Sequence, residues 1–282
     1  MSKVTLLCPV RTCHAPLTRE ERRYACANAH SFDVARSGYV NLLQPQDRKS
    51  KNPGDTNEAA QARRRFLDRH FVDPLTQQIV ALLPMHEEQS LLEVGCGDGH
   101  HLAAFHHAYR VEAHGTDLSV PAIELAARRH RDCTWVIANA DRFLPYADNG
   151  FDAVASITAR MNTEEFARVL RADGTLLVVI PGVDDLIELR EAVLGDRVER
   201  DRTERTIDTF ASHFRLQKQE TLRHVAQLDR AAMIDVMSSS YRGLRTRERE
   251  RLEALDAMNV TFSRDALVFT KIRGAAGLAP PK

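Results

Sequence analysis

From residue 91 onward, short apolar runs alternate with helical segments. "LLEVG", "VEAHGTD", "CTWVIA", "FDAVASI" and "GTLLVVI" are separated by "HLAAFHHAY", "SVPAIELAARRH" and "NTEEFARVL". Strands in regular alternation with helices predict βαβ units and a largely parallel, doubly wound sheet. The style then changes: "FRLQKQETLRHVAQL" and "NVTFSRDALVFTKI" predict two long strands around a charged helix, "RTRERERLEAL". Upstream, "NEAAQARRRFLDRHF" predicts a helix capped by Asp55 or Thr56, and a second helix begins at Pro74. "QDRKSKNPGDT" is polar and broken by Pro53 and Gly54, so it reads as a linker, while the aromatic and β-branched residues of "HSFDVARSGYVNLL" suit short strands. These shifts divide the chain into a small module at 1–45, a linker and helical connection at 46–85, a main domain at 86–275 and a flexible tail at 276–282.

The first strand of the sheet runs into "LLEVGCGDGHH". Glycines at 95, 97 and 99 allow a sharp turn and close approach of backbone to a ligand at the carboxyl end of a strand. The spacing is G-x-G-x-G behind acidic Glu93, one residue shorter than the dinucleotide fingerprint. The next strand ends in "HGTDLS", which puts Asp117 at its tip, where a carboxylate can accept from ribose hydroxyls. The third runs into "IANADRFLPYADNGFDAV". Taken with the two late strands, this order resembles the class I S-adenosylmethionine-dependent methyltransferases. The resemblance implies an α/β, Rossmann-like, seven-stranded sheet, with Gly95, Cys96, Gly97 and Gly99 near the methionine part of the cofactor. Glu93 would lie beneath that loop, Asp117 and Leu118 beside the ribose, and Asn139 and Ala140 against the adenine.

Composition adds three constraints. At 282 residues and 43% hydrophobic, the chain can bury a full core. No apolar run reaches the roughly 20 residues a bilayer span needs, and the start carries no leader pattern, so a cytoplasmic protein is expected. Net charge is zero, but residues 1–75 hold 13 Lys and Arg against 8 Asp and Glu. That surplus, bunched in "DRKSK" and "QARRR", would suit a polyanion, or is a solvated face.

Three of the five cysteines sit in "CPVRTCHAPLTREERRYACANAH". Cys8-x4-Cys13-x12-Cys26-x3-His30 has the spacing of a structural zinc site, closed and tetrahedral. Such an ion would supply folding free energy that 45 residues cannot draw from a core of their own. His14 could replace one ligand. Cys96 and Cys133 read as packing residues of the main domain.

A zinc module followed by "FDVARSGYVNLL", "PGD", "QARRRFLD", "LLEVGCGDGHH", "GTDLSVPAIELAARRH", "LRADGTLLVVIPG" and "LIELR" resembles the bacterial 23S rRNA (guanine-N1)-methyltransferases, a family with macrolide-resistance members. The likeness runs to about residue 190. It implies a zinc module that recognises RNA, S-adenosylmethionine as cofactor, a guanine in a 23S rRNA hairpin as target, and a homodimer. Four positions depart from the family pattern: the first cysteine pair is more widely spaced, Val72 stands where a tyrosine would touch the cofactor, Arg160 where a proline is expected, and Asp185 where a histidine may contact the cofactor. The stretch "MSSSYRG" also lacks the family's proline and tryptophan. Asp33, Arg160 and Asp185 are the catalytic candidates, with Tyr39, Phe71 and Arg160 as base platforms. Arg63, Arg64 and Arg65 would divide between phosphates and an acid such as Asp68. Two alternatives remain: an RNA- or ribosome-binding protein of this fold without methyl transfer, and a methyltransferase for another RNA or a small molecule.

Overall fold

The computed structural model describes residues 3–47, 54–195, 197–240 and 245–272. The main sheet has eight strands, in the order β10 (Phe214–Asp229), β11 (Ala257–Lys271), β9 (Leu170–Pro181), β8 (Phe151–Ile157), β5 (Ser90–Val94), β6 (Glu112–Asp117), β7 (Thr134–Ile137) and β4 (Val40–Asn41). From β4 to β9 every pairing is parallel, and β11 runs antiparallel to both its neighbours. Sequence reading predicts seven strands; the eighth is β4. Val40 pairs with Val136, and the Leu42 N–H donates to the Ile137 carbonyl at 2.9 Å, so a strand from the N-terminal module covers an edge that would otherwise expose unpaired backbone.

Side chains alternate across the sheet. One face carries Leu91, Ala153, Ile157, Leu177 and Val179 against α1 (Asn57–Leu67), α2 (Asp73–Ala81), α3 (His100–Tyr109), α4 (Val120–Arg129), α6 (Ile187–Leu194), α8 (Arg230–Ser240) and α9 (Thr246–Glu253). Thr56 caps α1, its hydroxyl accepting from the Ala59 N–H at 3.2 Å. The opposite face, with Leu92, Val94, Val136, Val154 and Val178, is covered by α5 (Thr163–Val169), α7 (Thr203–Phe210) and the N-terminal module.

The module is a three-stranded antiparallel sheet of β1 (Leu17–Arg19), β2 (Arg23–Cys26) and β3 (Ser31–Asp33). Its position has a physical reason. The crossing from β7 to β8, residues 138–150, contains no helix, so that part of the sheet lacks the usual cover. Val4, Leu6, Cys8, Leu17 and Cys26 fill the gap, packing in one cluster with Leu144 and Tyr146. Leu7 N–H donates to Pro145 O at 2.9 Å and Ala147 N–H to Thr5 O at 3.0 Å. Among the described residues no helix is long and apolar enough to cross a membrane.

Candidate functional site

The turn from β5 into α3 uses each glycine differently. All three have positive φ: 74° at Gly95, 55° at Gly97 and 80° at Gly99. A Cβ on Gly99 would lie 2.3 Å from the Trp135 ring, so this glycine serves helix-to-sheet packing. A Cβ on Gly97 would meet only the Arg63 guanidinium, at 3.6 Å, so this glycine keeps the loop backbone open to a ligand. The Gly97 N–H donates to Asp117 at 2.9 Å, and the other Asp117 oxygen accepts from the Ser119 N–H at 2.8 Å. Burial pushes the Asp117 carboxyl above its ordinary range, and these N–H donors partly offset that.

Two cavities open at this end of the sheet. The first, about 390 Å³, is lined by Gly95, Gly97, Asp117, Leu118, Asn139 and Ala140, with Arg160 at the same wall. The second, about 450 Å³, lies between α1, α2, α6 and the ends of β8 and β9; Phe66, Phe262, His101, Asp185 and Arg190 line it. Asp55, Arg63, Ile157 and Thr158 line both, so the two cavities meet. A nucleotide-like ligand fits the first, at the carboxyl ends of parallel strands. The second offers an apolar and aromatic wall with cationic groups.

Buried charge gathers behind the loop. Glu93 is 1% exposed, and burial pushes its carboxyl up to about 8, against the pull of Arg63. One of its oxygens has no partner; the other lies 3.8 Å from His101 Nδ1. Burial and the neighbouring His100, Arg63 and Arg264 hold His101 well below the ordinary imidazole value, so it is neutral. Asp98, also buried, accepts from Arg64 at 3.1 Å.

In the module, the Cys8, Cys13, Cys26 sulfurs and a His30 nitrogen all lie within 4.8 Å of one another. Cys13 Sγ is 3.7 Å from Cys26 Sγ, and His30 Nδ1 is 3.4 Å from Cys8 Sγ and 3.5 Å from Cys26 Sγ. Ligand atoms about 2.0–2.3 Å from a central zinc and arranged tetrahedrally fall at such separations. The residues therefore fit the ion. The Ala15 N–H and the Asn28 amide, which lies 3.1 Å from the Cys13 sulfur, favour the Cys13 thiolate. His14 is occupied elsewhere, stacked on Phe143 with ring centroids 4.4 Å apart.

Comparison with known proteins agrees with both halves of this geometry. Residues 6–51 match the family model described as "RlmA, N-terminal", a zinc ribbon, and residues 91–174 match "Methyltransferase domain". A Streptomyces fradiae protein named 23S rRNA (guanine(748)-N(1))-methyltransferase is 36% identical over 234 residues, covering 81% of each chain. A Bacillus subtilis (strain 168) relative, provisionally given the same class name, is 35% identical, covering 72% of this chain and 74% of its own. The chain belongs to the 23S rRNA (guanine-N1)-methyltransferase family. One chain of the complex between the Haloferax volcanii Trm112 methyltransferase activator and its partner is similar in fold, with a TM-score of 0.51 at 17% identity, covering 77% of this chain and 99% of that one.

As a member of that family, the chain has a S-adenosylmethionine site and a structural zinc site, and the residues present suit both. The sequence-predicted cofactor residues occupy different positions around them. Gly95, Gly97, Asp117, Leu118, Asn139 and Ala140 line the first cavity; Val72 and Asp185 line the second. Glu93, Cys96 and Gly99 line neither: the first two are buried beneath the loop and Gly99 packs on Trp135. Asp33 lies on β3, outside both cavities. Arg160 is exposed and 3.8 Å from Asp141. Phe71 stacks on Phe66 beneath the Arg69 guanidinium, and neither Phe71 nor Tyr39 reaches a cavity.

The arginines of "QARRR" are largely committed within the fold. Arg64 pairs with Asp68 and Asp98, and Arg65 with Asp235 at 2.6 Å; Arg63 lies 3.6 Å from Asp98 and also lines both cavities. The basic residues at 48, 49 and 51, the Tyr241–Gly243 part of "MSSSYRG" and the tail lie outside the described residues. Sequence reading passed over Asp55, His101, Arg190 and Arg264 as site residues. Asp55 carried the signal of a helix cap, which hid its place where the cavities meet.

Proposed function

We propose that this chain methylates N1 of a guanine in a hairpin of 23S rRNA, using S-adenosylmethionine. The observation that carries the reading is the junction of the two cavities at Asp55, Arg63, Ile157 and Thr158. A donor in the first cavity and a base in the second would meet there in line. When bound, the sulfonium cofactor supplies the methyl group as an electrophile.

The protein's work is then alignment, exclusion of water and management of one proton. The Gly95 and Gly97 backbone bounds the methionine end, Asp117 accepts from the ribose, and Leu118, Asn139 and Ala140 border the adenine. Both groups of the Asn139 amide are engaged, to Asp47 O and from Asp141 N–H, so it borders the base as a fixed wall. Guanine N1 carries a proton at neutral pH. Asp185 is the acceptor we assign to it: it lines the base cavity and is held there by the Ser263 N–H at 3.0 Å and by Arg264. Asp33, on the module, is placed too differently for that role. Arg160, exposed at the first cavity, would contact RNA next to the extruded base.

The same reading makes residues 1–45 the RNA-recognition module, 46–85 the connection and 86–275 the catalytic domain of a cytoplasmic homodimer. Light scattering tests the dimer. The activity is tested by transfer of labelled methyl to unmodified 23S rRNA, followed by primer extension, because methylation at N1 blocks base pairing. Arrest at one hairpin guanine supports the reading. Methyl transfer to RNA without any such arrest sinks it in favour of another target atom.

A further inference from the structure

Arg190, on α6, is 4% exposed and lines the larger cavity. One of its terminal nitrogens donates to the Val198 carbonyl at 3.0 Å, while its Nε–H is buried without a partner. Among the described residues it has no carboxylate partner. Its neighbours around the site do: Arg64 has Asp68 and Asp98, Arg65 has Asp235, and Arg264 has Asp185. A guanidinium taken out of water without a counter-ion is costly to keep. Its donors are therefore matched to something that enters the cavity.

The walls narrow the choice. Phe66, Leu186, Val236 and Phe262 line the same cavity. Such a surface suits a flat aromatic base and is a poor place for a hydrated phosphate. Arg200 and Arg202 reach the cavity from exposed positions, where backbone phosphates would be met in water. Among the four bases, only guanine presents two adjacent acceptors, O6 and N7, on its Hoogsteen edge, and a guanidinium matches that pair with two parallel donors.

Resting on the activity proposed above, we propose that Arg190 selects the target base by donating to O6 and N7 of the guanine whose N1 is methylated. The contact also serves the reaction. As the N1 proton passes to an acceptor such as Asp185, the N1 electron pair forms the bond to the methyl carbon and the carbon–sulfur pair stays on sulfur. Negative charge released at N1 is shared with O6, where a fixed cation stabilises it.

The test uses the full-length, zinc-loaded protein and a hairpin RNA in which the target guanosine is replaced by 7-deazaguanosine, which lacks the N7 acceptor. Methyl transfer and hairpin affinity are read for the wild type, Arg190→Gln and Arg190→Lys. Wild type should lose about tenfold or more in both on the deaza hairpin, whereas Arg190→Gln, already impaired, should lose less than about twofold further. Arg190→Lys keeps a charge that can still reach O6 and N7 but lacks the planar fork, so its deaza penalty should fall between those of the wild type and Arg190→Gln; cofactor affinity and melting temperature show which variants are folded. A wild type indifferent to N7, or an Arg190→Gln variant that keeps the full deaza penalty, overturns the proposal. So does an equal loss on both hairpins with a shallower salt dependence, which would assign Arg190 to a phosphate. Absence of any methyl transfer would sink the activity reading, while the affinity measurements would still decide the role of Arg190.

Discussion

The side-chain amide of Asn139 donates to the backbone carbonyl of Asp47 at 2.8 Å, joining the wall of the nucleotide cavity to the segment that leaves the zinc module. The amide oxygen accepts from the Asp141 N–H at 3.1 Å, which fixes its orientation. Asn139 is 6% exposed, but the groups its loss would leave are the carbonyl of partly buried Asp47 and the N–H of exposed Asp141, which water can reach. Asn139→Ala should cost about 1 kcal/mol in stability. It should also weaken S-adenosylmethionine binding, measured calorimetrically, because the cavity wall proposed to border the adenine loses its tether. Cofactor affinity unchanged in a folded variant would mean that the bond serves the linker alone.

Zinc should matter to the main domain as well as to the module. Cys8 and Cys26 belong to the cluster that covers the β7 to β8 crossing, together with Val136, Leu144 and Tyr146. Removing the ion with a chelator, or substituting Cys26→Ser, should therefore lower the melting temperature of the whole chain and abolish hairpin binding, since metal binding is folding free energy here. Retention of the full melting temperature after one equivalent of zinc has been released, followed with a colorimetric chelator, would show that the module folds without it.

How much of this could be read from residues depends on how local the signal is. The runs "LLEVG" to "GTLLVVI" became β5 to β9 because strands buried on both faces leave continuous apolar stretches. The four zinc-site residues were legible because ligand spacing is a short-range constraint. The strand β4 was not: it is two residues long and pairs with residues almost a hundred positions away. Nor was the module's role as cover, which follows from a missing helix in a different segment. Arg190 ends the segment "LIELR", and only the packing of α6 reveals it as a buried cation with no carboxylate partner among the described residues.

Two glycines of one loop should respond differently to the same change. Gly99→Ala would drive a Cβ to within 2.3 Å of Trp135 in a left-handed backbone conformation, so a loss of roughly 2–4 kcal/mol is expected. Gly97→Ala meets nothing closer than 3.6 Å and should cost only about 1 kcal/mol, for its positive φ. Its methyl group would instead project into the nucleotide cavity and lower cofactor affinity. Chemical denaturation and calorimetric titration of the two variants separate these effects. Equal stability losses would mean that the packing of Gly99 on Trp135 relaxes at little cost.

Glu93 makes the stability of the cofactor-free protein depend on pH. Its carboxyl titrates near 8 in the fold against an ordinary 4.5, because burial disfavours the charged form. Below pH 4.5 both folded and unfolded chains hold the proton. Between about 4.5 and 8 the folded chain keeps a proton that the unfolded chain has released, so this group's contribution falls as pH rises and levels off above 8. The size is on the order of a few kcal/mol. Glu93→Gln holds a neutral group at every pH and removes that slope. Melting temperatures of wild type and Glu93→Gln should therefore diverge from pH 5 to pH 8.5, with the variant relatively more stable at the upper end. A wild type that gains on the variant as pH rises would mean that Arg63 and the Leu102 N–H stabilise the carboxylate more than burial penalises it.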